Sequence, residues 1–391
     1  MHVTEIQAEL RRQQIDGWLV VSFRGSNPTF GDLTGIAHQF TRRTVLWLPQ
    51  KGGAVLVGSS VDGHSLVSPV DWIERTVQYG GLADLQAHLA ALLHGASRVA
   101  MEYSMDGANP PISRVDAGFV EWVRGLEIAV VSSGDLISLL ARWDSDQVAD
   151  HRAAAAIVDR VRAAAFEEAF ARAESTHPAT EHELTATILA RFAEAGLVGG
   201  GADVAVNAHA ADPHYVPSAE RPVPIRPGDS ILIDLWARRP GARSPYADST
   251  WMGFVGRQPS EEFRRAYVAV QAARDAGLAL LEEAWRSGRS LRGRDVDRHV
   301  RNLLTERGYS TEFSHRTGHS LGWHHVHGDG PNLDDFEFPD DRLLTPVAGV
   351  TIEPGIYLPG RFGVRLEVSV VLTEHGPLVT TARQEELEMP L

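Results

Sequence analysis

The sequence predicts two domains of mixed α and β structure: an α/β domain over residues 1–143 and an α+β domain over residues 144–391. Three observations predict this organisation. Strands and helices alternate in the first third of the chain, a long alanine-rich helical stretch follows at 144–174, and a helix–helix–hairpin order then occurs twice. A chain of 391 residues is long enough for two domains that each bury a core.

The amino-terminal domain has the pattern of a mostly parallel or mixed sheet. A helix at 4–15 leads into an apolar strand at 18–21, and strands at 44–48 and 54–57 are joined by a Pro-Gln-Lys-Gly-Gly turn. The same reasoning predicts, in order, a helix at 82–94, a strand at 99–102, a helix at 112–124 and a strand at 127–131. Because this domain contains no dinucleotide-binding or catalytic motif, we expect its role to be architectural.

The carboxy-terminal domain has a duplicated order of elements. The first copy comprises helices 144–174 and 181–195 and a hairpin with strands 230–237 and 248–255. The second comprises helices 260–286 and 294–307 and a hairpin with strands 349–356 and 362–373. Ser145 is the predicted N-cap of the first helix, and Thr180 and Glu183 form a capping-box pair at the second. The duplication predicts two halves related by a pseudo-two-fold axis, with a cleft between them.

Composition excludes several classes of function. The formal net charge of −14 argues against general nucleic-acid binding, which needs a basic surface. The absence of cysteine excludes disulfides, a cysteine nucleophile, iron–sulfur clusters and thiolate-bound zinc. The amino terminus has no signal-peptide pattern, and no apolar run reaches the roughly 18 residues of a membrane span. We therefore expect a soluble, cytoplasmic protein that does not contact membranes.

Four acidic residues interrupt the apolar strands of the two predicted hairpins: Asp234, Asp248, Glu353 and Glu367. A carboxylate in a core strand must be paired, protonated or bound to a metal ion. For any one of them alone, a salt-bridged or edge-strand acid is the better interpretation. Four acids at matching places would converge in one cleft, where they would repel one another unless cations were present. The pattern therefore favours a metal site.

His319 supplies a nitrogen ligand for such a site. It lies between Gly318 and Ser320, and these small neighbours allow the backbone and a ligand to approach closely. Four carboxylates and one imidazole form an oxygen-rich set that suits two divalent ions, with Mn²⁺ favoured and Co²⁺ or Zn²⁺ as alternatives. The negative charge of the four carboxylates balances the positive charge of two such ions.

The order Asp234, Asp248, His319, Glu353 and Glu367 resembles the ligand set of the pita-bread metallopeptidases. This family includes methionine aminopeptidase, aminopeptidase P and prolidase, with creatinase as a non-metal relative. The segments 318–322 and 353–357 look like its most specific motifs, and the resemblance covers the whole chain. It implies a pita-bread fold with pseudo-two-fold halves over 144–391 and a creatinase-like domain over 1–143. The amino-terminal domain and the intact ligand set indicate the proline-specific branch.

The resemblance also implies a role for each ligand. Asp234 would chelate one ion, and His319 and Glu353 would hold the other. Asp248 and Glu367 would bridge the two ions. Glu353 would in addition carry a proton from water to the leaving nitrogen.

Three further residues are candidates for contact with the substrate or with the ligands. His214 and His327 match substrate-contacting histidines, although a lone histidine is more often a satisfied core or surface residue. Arg365, two residues before Glu367, would anchor that carboxylate or one end of the substrate.

The function implied by the resemblance is hydrolysis of Xaa-Pro bonds in small proline-containing peptides by a homodimer. We expect an Xaa-Pro dipeptidase, and the alternative is an Xaa-Pro aminopeptidase that acts on longer peptides. A non-catalytic pita-bread scaffold and a creatinase-like amidinohydrolase are more distant alternatives.

Overall fold

The computed structural model describes residues 3–36 and 40–390. The chain divides into two compact units, Met1–Leu140 and Ala141–Leu391. The sequence places this boundary slightly later, after residue 143. The backbone N–H of Trp143 donates to the carbonyl of Val347, a residue of the second unit. This hydrogen bond explains why the residues just before the long helix group with the carboxy-terminal unit.

The amino-terminal unit is built on one six-stranded mixed sheet with the order β4-β3-β2-β1-β5-β6. Its strands are β1 (Gly17–Ser22), β2 (Thr44–Pro49), β3 (Ala54–Ser59), β4 (Ile73–Tyr79), β5 (Arg98–Met101) and β6 (Ala129–Ser132). Its helices are α1 (Val3–Arg12), α2 (Pro28–Thr34), α3 (Leu82–Leu92), α4 (Ala117–Arg124) and α5 (Gly134–Leu140). Short 3-10 turns lie at Ser60–Ser65, Met105–Gly107 and Pro110–Ile112.

Strand β1 shows why the sequence of this sheet is so apolar. Trp18 and Val20 belong to one hydrophobic cluster, whereas Leu19 and Val21 belong to another. Because successive side chains of a strand point to opposite faces, the two clusters cover both faces of the sheet. A continuous apolar run is therefore the expected pattern for such a strand, and this pattern allowed β1 to be predicted.

The predicted elements of this unit are present, with differences that have local causes. The helix expected at 112–124 begins at Ala117, because Asp116 caps it by accepting from the backbone N–H of Phe119. The sequence analysis missed α2, β4 and α5. Strand β4 contains exposed charged residues and lies at the edge of the sheet, so it lacks the apolar signal of the inner strands.

A buried carboxyl group links several elements of the amino-terminal unit. Glu102 follows β5 and accepts from Trp18 Nε1 at 2.6 Å, Asn27 Nδ2 at 2.7 Å and Ser133 Oγ at 3.2 Å. Burial raises the pKa of Glu102 to about 7, although these hydrogen bonds oppose the shift. Between about pH 4 and pH 7, Glu102 is therefore protonated in the folded protein, whereas in the unfolded chain, with an ordinary glutamate pKa of about 4.3, it is ionised.

This shift predicts how the stability of the amino-terminal unit depends on pH. The stability associated with Glu102 is full below about pH 4 and falls as the pH rises to 7, by roughly 3 kcal/mol. We expect the Glu102→Gln variant to lack this decline. Hydrogen exchange of β1 and β5 peptides in urea at pH 5 and pH 8 measures the decline in stability. Substitution of the exposed Glu121 by glutamine (Glu121→Gln) is the matched control. An equal decline in wild type and Glu102→Gln would contradict the assignment.

The carboxy-terminal unit contains four helices and eight strands among its described residues. The helices are α6 (Ser145–Arg172), α7 (Glu181–Glu194), α8 (Glu261–Ser287) and α9 (Gly293–Glu306), with a 3-10 turn at Asn207–Ala211. The strands are β7 (Val198–Val206), β8 (Ser230–Arg238), β9 (Tyr246–Phe254), β10 (Ala348–Ile352), β11 (Gly355–Leu358), β12 (Phe362–Arg365), β13 (Val368–Thr373) and β14 (Gly376–Val379). They form antiparallel sheets with the orders β7-β8-β9, β10-β13-β14 and β11-β12.

The order of two helices followed by an antiparallel sheet therefore occurs twice, as predicted. One correction concerns the start of α6, where Asp144 rather than Ser145 is the N-cap. Its carboxylate accepts from the backbone N–H of Gln147 at 2.8 Å, and the Gln147 side chain accepts from the Asp144 N–H at 3.0 Å. The capping box of Thr180 and Glu183 is present at α7. In the part of the chain that the structure describes, no helix has the length and apolarity needed to cross a bilayer.

The second predicted hairpin is not continuous. Strand β10 pairs with β13 and β11 pairs with β12, so the hairpin is interrupted between Ile352 and Gly355. Pro354 lies in the interruption and has no backbone N–H to donate to a ladder. Glu353 and Glu367 both fall at this break. Glu353 and Glu367 therefore lie outside the regular strand pairing.

Strand β7 was also missed, and it completes the first sheet. Its start is the sequence Val-Gly-Gly-Gly, which has weak strand preference, and the pairing register shifts between Val198 and Gly201. Beyond this irregularity β7 pairs regularly with β8, and Asp203 lies directly opposite Asp234. An additional acid is thereby placed beside a predicted metal ligand.

Candidate metal centre

A cavity of about 630 Å³ lies in the carboxy-terminal unit and contains all eight residues that the sequence analysis selected. Its lining includes those residues, namely His214, Asp234, Asp248, His319, His327, Glu353, Arg365 and Glu367, together with Asp203, Asp212, Pro213, Trp236, Ser314, His315, Arg316, Val326 and Glu337. The lining is rich in carboxylates and imidazoles. Its volume lies in the usual range of small-molecule sites.

Sheet register places the acidic residues of the first hairpin on one face. Asp234 on β8 is opposite Thr250 on β9, and Asp248 is two residues before Thr250 on that strand. Residues two positions apart on a strand point the same way, so Asp234 and Asp248 lie diagonally across one face. Thr250 also binds Glu367, because its hydroxyl donates to Glu367 Oε2 at 2.8 Å and its carbonyl accepts from the Glu367 N–H at 3.0 Å.

Hydrogen bonds to β10 and its end hold the His319 loop. The His319 N–H donates to Thr351 Oγ1 at 2.9 Å, and the Thr351 N–H donates to the His319 carbonyl at 2.9 Å. The Glu353 N–H donates to the carbonyl of Thr317 at 2.7 Å. A Cβ atom on Gly318 would lie only 2.1 Å from the Thr351 carbonyl oxygen, so this close approach requires glycine.

The His319 ring presents one nitrogen to the carboxylates. Its Nδ1 lies 3.0 Å from the Ser320 carbonyl, which can only accept, so Nδ1 carries the proton. Its Nε2 lies 3.5 Å from Asp248 Oδ2 and 3.5 Å from Glu353 Oε1. Burial lowers the pKa of His319. The ring is therefore arranged as a neutral ligand whose lone pair faces two acids.

The carboxylates have the features of a cation site. Ligand atoms of Asp248, His319 and Glu367 all lie within 4.8 Å of one another. Asp234 Oδ1, Asp248 Oδ1 and Glu367 Oε1 are buried and find no hydrogen-bond donor among the described residues. Burial, reinforced by neighbouring acids, raises the pKa values of Asp248, Glu353 and Glu367. Buried acceptors without donors are costly in a protein, and divalent cations would satisfy them. The residues present thus fit a metal centre.

Of the two contacts expected for Arg365, the one with Glu367 is not formed. Its guanidinium forms an ion pair with Asp234 rather than with Glu367. Its Nε also donates to Thr250 Oγ1 at 3.2 Å, and its Nη1 donates to the Tyr357 hydroxyl at 3.1 Å. Arg365 is buried, so this ion pair compensates one of the clustered charges inside the protein.

A chain of hydrogen bonds that the sequence analysis missed continues from Arg365. The Tyr357 hydroxyl donates to His315 Nε2 at 2.7 Å, and His315 Nδ1 donates to the Arg316 carbonyl at 2.7 Å. Burial and the nearby Arg365 charge lower the pKa of His315 to about 3, so its ring is neutral. Burial raises the pKa of Tyr357 to about 12. In this series of hydrogen bonds each group donates to the next one, from Arg365 to Tyr357 and on to His315. This arrangement fixes the orientation of the Arg365 guanidinium.

The two predicted substrate-contacting histidines both face the cavity. The His327 ring lies 4.2 Å from the His319 ring, centre to centre, and its Nδ1 is 3.3 Å from Arg316 Nη2. The proximity of His319, together with burial, lowers the pKa of His327. His214 is exposed on the segment that follows the 3-10 turn at Asn207–Ala211.

Glu181 anchors the segment that carries His214. This buried glutamate at the start of α7 accepts from the Val206 N–H at 2.7 Å, from His209 Nδ1 at 3.0 Å and from the Tyr215 hydroxyl at 2.7 Å. The rings of His209 and Tyr215 are stacked, with centroids 4.2 Å apart. In the sequence Glu181 looks only like a first-turn acid of a helix, so nothing there indicates this contact.

Asp203 is a further acidic lining residue that was not selected from the sequence. It is half-buried on β7, and burial followed by the charge of Asp234 raises the pKa of Asp203 to about 6. The Gly-rich start of β7 concealed the strand, and with it the pairing that brings Asp203 to the cavity.

Known proteins are similar to this chain in fold and in sequence. The model of metallopeptidase family M24 matches residues 149–374. The probable dipeptidase PepE of Mycobacterium tuberculosis is 29% identical over 373 residues, which cover 90% of this chain and 86% of the relative. The crystal structure of dipeptidase PepE from Mycobacterium ulcerans has a TM-score of 0.75 and 26% identity, and the match covers 99% of this chain and 96% of that one.

A second solved structure is similar in fold. The Xaa-Pro dipeptidase from Bacillus anthracis has a TM-score of 0.68 at 23% identity, and 99% of each chain is covered. These likenesses confirm the predicted fold class. The chain therefore belongs to metallopeptidase family M24, and it is a metal-dependent peptidase.

Proposed function

We propose that this protein is a dinuclear metal-dependent Xaa-Pro dipeptidase. The observation that carries the proposal is the cluster of four carboxylates around His319, in which three buried carboxylate oxygens find no donor among the described residues. A relative named as a probable dipeptidase, and similar over nearly the whole chain, supports dipeptides as substrates.

In this proposal the five residues divide between two ions. Asp234 would hold one ion, His319 and Glu353 the other, and Asp248 and Glu367 both. Mn²⁺ is the preferred ion because four of the five ligands are oxygen donors. When bound, the ions would polarise the scissile carbonyl and lower the pKa of the attacking water.

The side chains around the cluster would perform the remaining steps. Glu353 would accept a proton from the attacking water and pass it to the nitrogen of the leaving residue. His214 and His327 would donate hydrogen bonds to substrate oxygens, and Arg365 would keep Asp234 in place.

Proline as the leaving residue fits this proton route. The nitrogen of an Xaa-Pro bond is a tertiary amide without a hydrogen, and like any amide nitrogen it must receive a proton to leave as an amine. The alternative remains an Xaa-Pro aminopeptidase, in which the same groups would act on longer peptides. The resemblance to the family also suggests a homodimer, which light scattering would test.

A paired-substrate assay with metal add-back tests the proposal. The protein is stripped with a chelator, its metal content is verified by elemental analysis, and Mn²⁺ is restored. We expect no turnover of Ala-Pro without metal, recovery with Mn²⁺, and faster hydrolysis of Ala-Pro than of Ala-Pro-Ala or Ala-Ala. Full activity of the verified metal-free protein would contradict the metal mechanism. Hydrolysis of Ala-Pro-Ala alone would establish the aminopeptidase, and a preference for Ala-Ala would contradict proline specificity.

A further inference from the structure

Asp203 is an acid beside the metal cluster to which the proposed mechanism gives no role. It lies directly opposite Asp234 in the pairing of β7 with β8. Directly opposite residues of an antiparallel pair point to the same face, with Cβ atoms about 5 Å apart. Both residues line the cavity. The Asp203 carboxylate therefore faces the space that a substrate would occupy next to the ligand Asp234.

The carboxylates that line the cavity differ in their protein contacts. All except Asp203 have a partner within the protein: Asp212 with the His214 N–H, Asp234 with Arg365, Asp248 with the Ser249 N–H, Glu337 with the Arg316 N–H, Glu353 with Thr351 and Glu367 with Thr250. Asp203 has no hydrogen bond or ion pair with any residue in 3–36 or 40–390. Both carboxylate oxygens of Asp203 are thus open to a ligand.

Without a ligand, the unpaired Asp203 carboxylate destabilises the folded protein. Like charges directly opposite each other across a strand pair repel, and the half-buried position weakens solvation of the carboxylate. A cation supplied from outside the protein would remove both penalties. Asp203 belongs neither to the close group of Asp248, His319 and Glu367 nor to the five residues proposed to hold the two ions. A cationic group of the substrate is therefore a better partner for Asp203 than a metal ion.

The chemistry of a dipeptide places such a cation nearby. The amino-terminal residue carries an α-ammonium on the carbon next to the scissile carbonyl, and that carbonyl must reach the metal cluster for hydrolysis. We propose that Asp203 binds the ammonium or guanidinium charge of the amino-terminal residue of the substrate. The proposal rests on the proposed peptidase function of the site. The charge comes from the α-ammonium of any peptide or from the side chain of an amino-terminal lysine or arginine.

The Asp203→Asn variant tests this proposal, with the exposed Asp341→Asn as the matched control. Four substrates separate the two sources of charge: Ala-Pro, its deaminated analogue propionyl-proline, Lys-Pro, and Met-Pro, whose side chain is uncharged. If the α-ammonium is bound, KM for Ala-Pro, Met-Pro and Lys-Pro rises about tenfold or more in Asp203→Asn, while that for propionyl-proline does not change. If the side chain is bound, only Lys-Pro is affected. Unchanged KM values for all substrates would overturn the proposal.

Two further readouts keep the result unambiguous. Bound Mn²⁺ per chain should be equal in wild type and Asp203→Asn, and a lower content would overturn the proposal by making Asp203 a metal ligand. The variant should unfold at the same or a higher temperature than wild type in the absence of metal, because one of two repelling charges is removed. The comparison is repeated with Ala-Ala, whose ammonium is identical. A wild type that prefers Ala-Ala contradicts the proline specificity, whereas the effect of Asp203→Asn on Ala-Ala still tests the ammonium contact.

Discussion

The Asp248→Asn variant is expected to lose metal binding and turnover, and its metal-free form is expected to be more stable than the metal-free wild type. Asp248 is buried and has one oxygen without a donor among the described residues, so it depends on a cation for compensation. Burial, with the charge of Asp234, raises the pKa of Asp248. Replacing the carboxylate with a neutral amide removes this repulsion together with a metal ligand.

Two measurements on wild type and Asp248→Asn test whether the variant binds metal more weakly and yet is more stable without metal. Elemental analysis and a Mn²⁺ titration should show an affinity at least ~10²-fold weaker than in wild type. Thermal unfolding with and without Mn²⁺ should show that metal stabilises wild type strongly and the variant little. The exposed Asp341→Asn serves as the control for loss of one negative charge. A variant that binds Mn²⁺ as wild type does would show that Asp248 is not a ligand.

The Glu353→Gln variant is expected to lower kcat by about 10³-fold with a small change in KM. Glutamine has nearly the same shape as glutamate and can accept from Thr351 Oγ1, as Glu353 does at 3.1 Å. The backbone hydrogen bond from residue 353 to Thr317 is unaffected by the substitution. The fold of the loop should therefore persist, while the proton carrier is lost and one proposed metal ligand becomes neutral, so turnover is compared at saturating Mn²⁺.

The pH dependence of kcat distinguishes the loss of proton transfer from a general disruption of the active-site structure. Wild type should show a limb of the kcat profile that reports the carboxyl group that carries the proton, and Glu353→Gln should lack that limb. The exposed Glu385→Gln should behave as wild type. A kcat within threefold of wild type, or an unchanged profile, would assign the proton route to another residue.

Prediction from sequence worked best where one local signal dominated. Strands β1, β2 and β3 were predicted because apolar runs bounded by turn residues are typical of strands that are covered on both faces. The capping box at α7 was predicted because the side chains of Thr180 and Glu183 act within a single helical turn. Signals of this kind need no knowledge of the rest of the chain.

Elements that depend on pairing with distant segments were missed or misjudged. The glycine-rich β7 has little intrinsic strand preference and exists because it pairs with β8. The second hairpin was expected to be continuous, but its strands separate into two pairs around Pro354. The local pattern of alternating residues does not reveal which partner a strand will choose.

The sequence by itself supplied the candidate metal ligands and their order, and with them the family. Carboxylates at matching places in apolar strands, and one histidine between small residues, are properties of residue types and spacing. Only the tertiary structure decided which charges meet. Arg365 pairs with Asp234, 131 positions away, rather than with nearby Glu367, and Asp203 faces the cavity without a partner among the described residues. Such contacts follow from strand register and loop closure, which arise only when distant segments pack together.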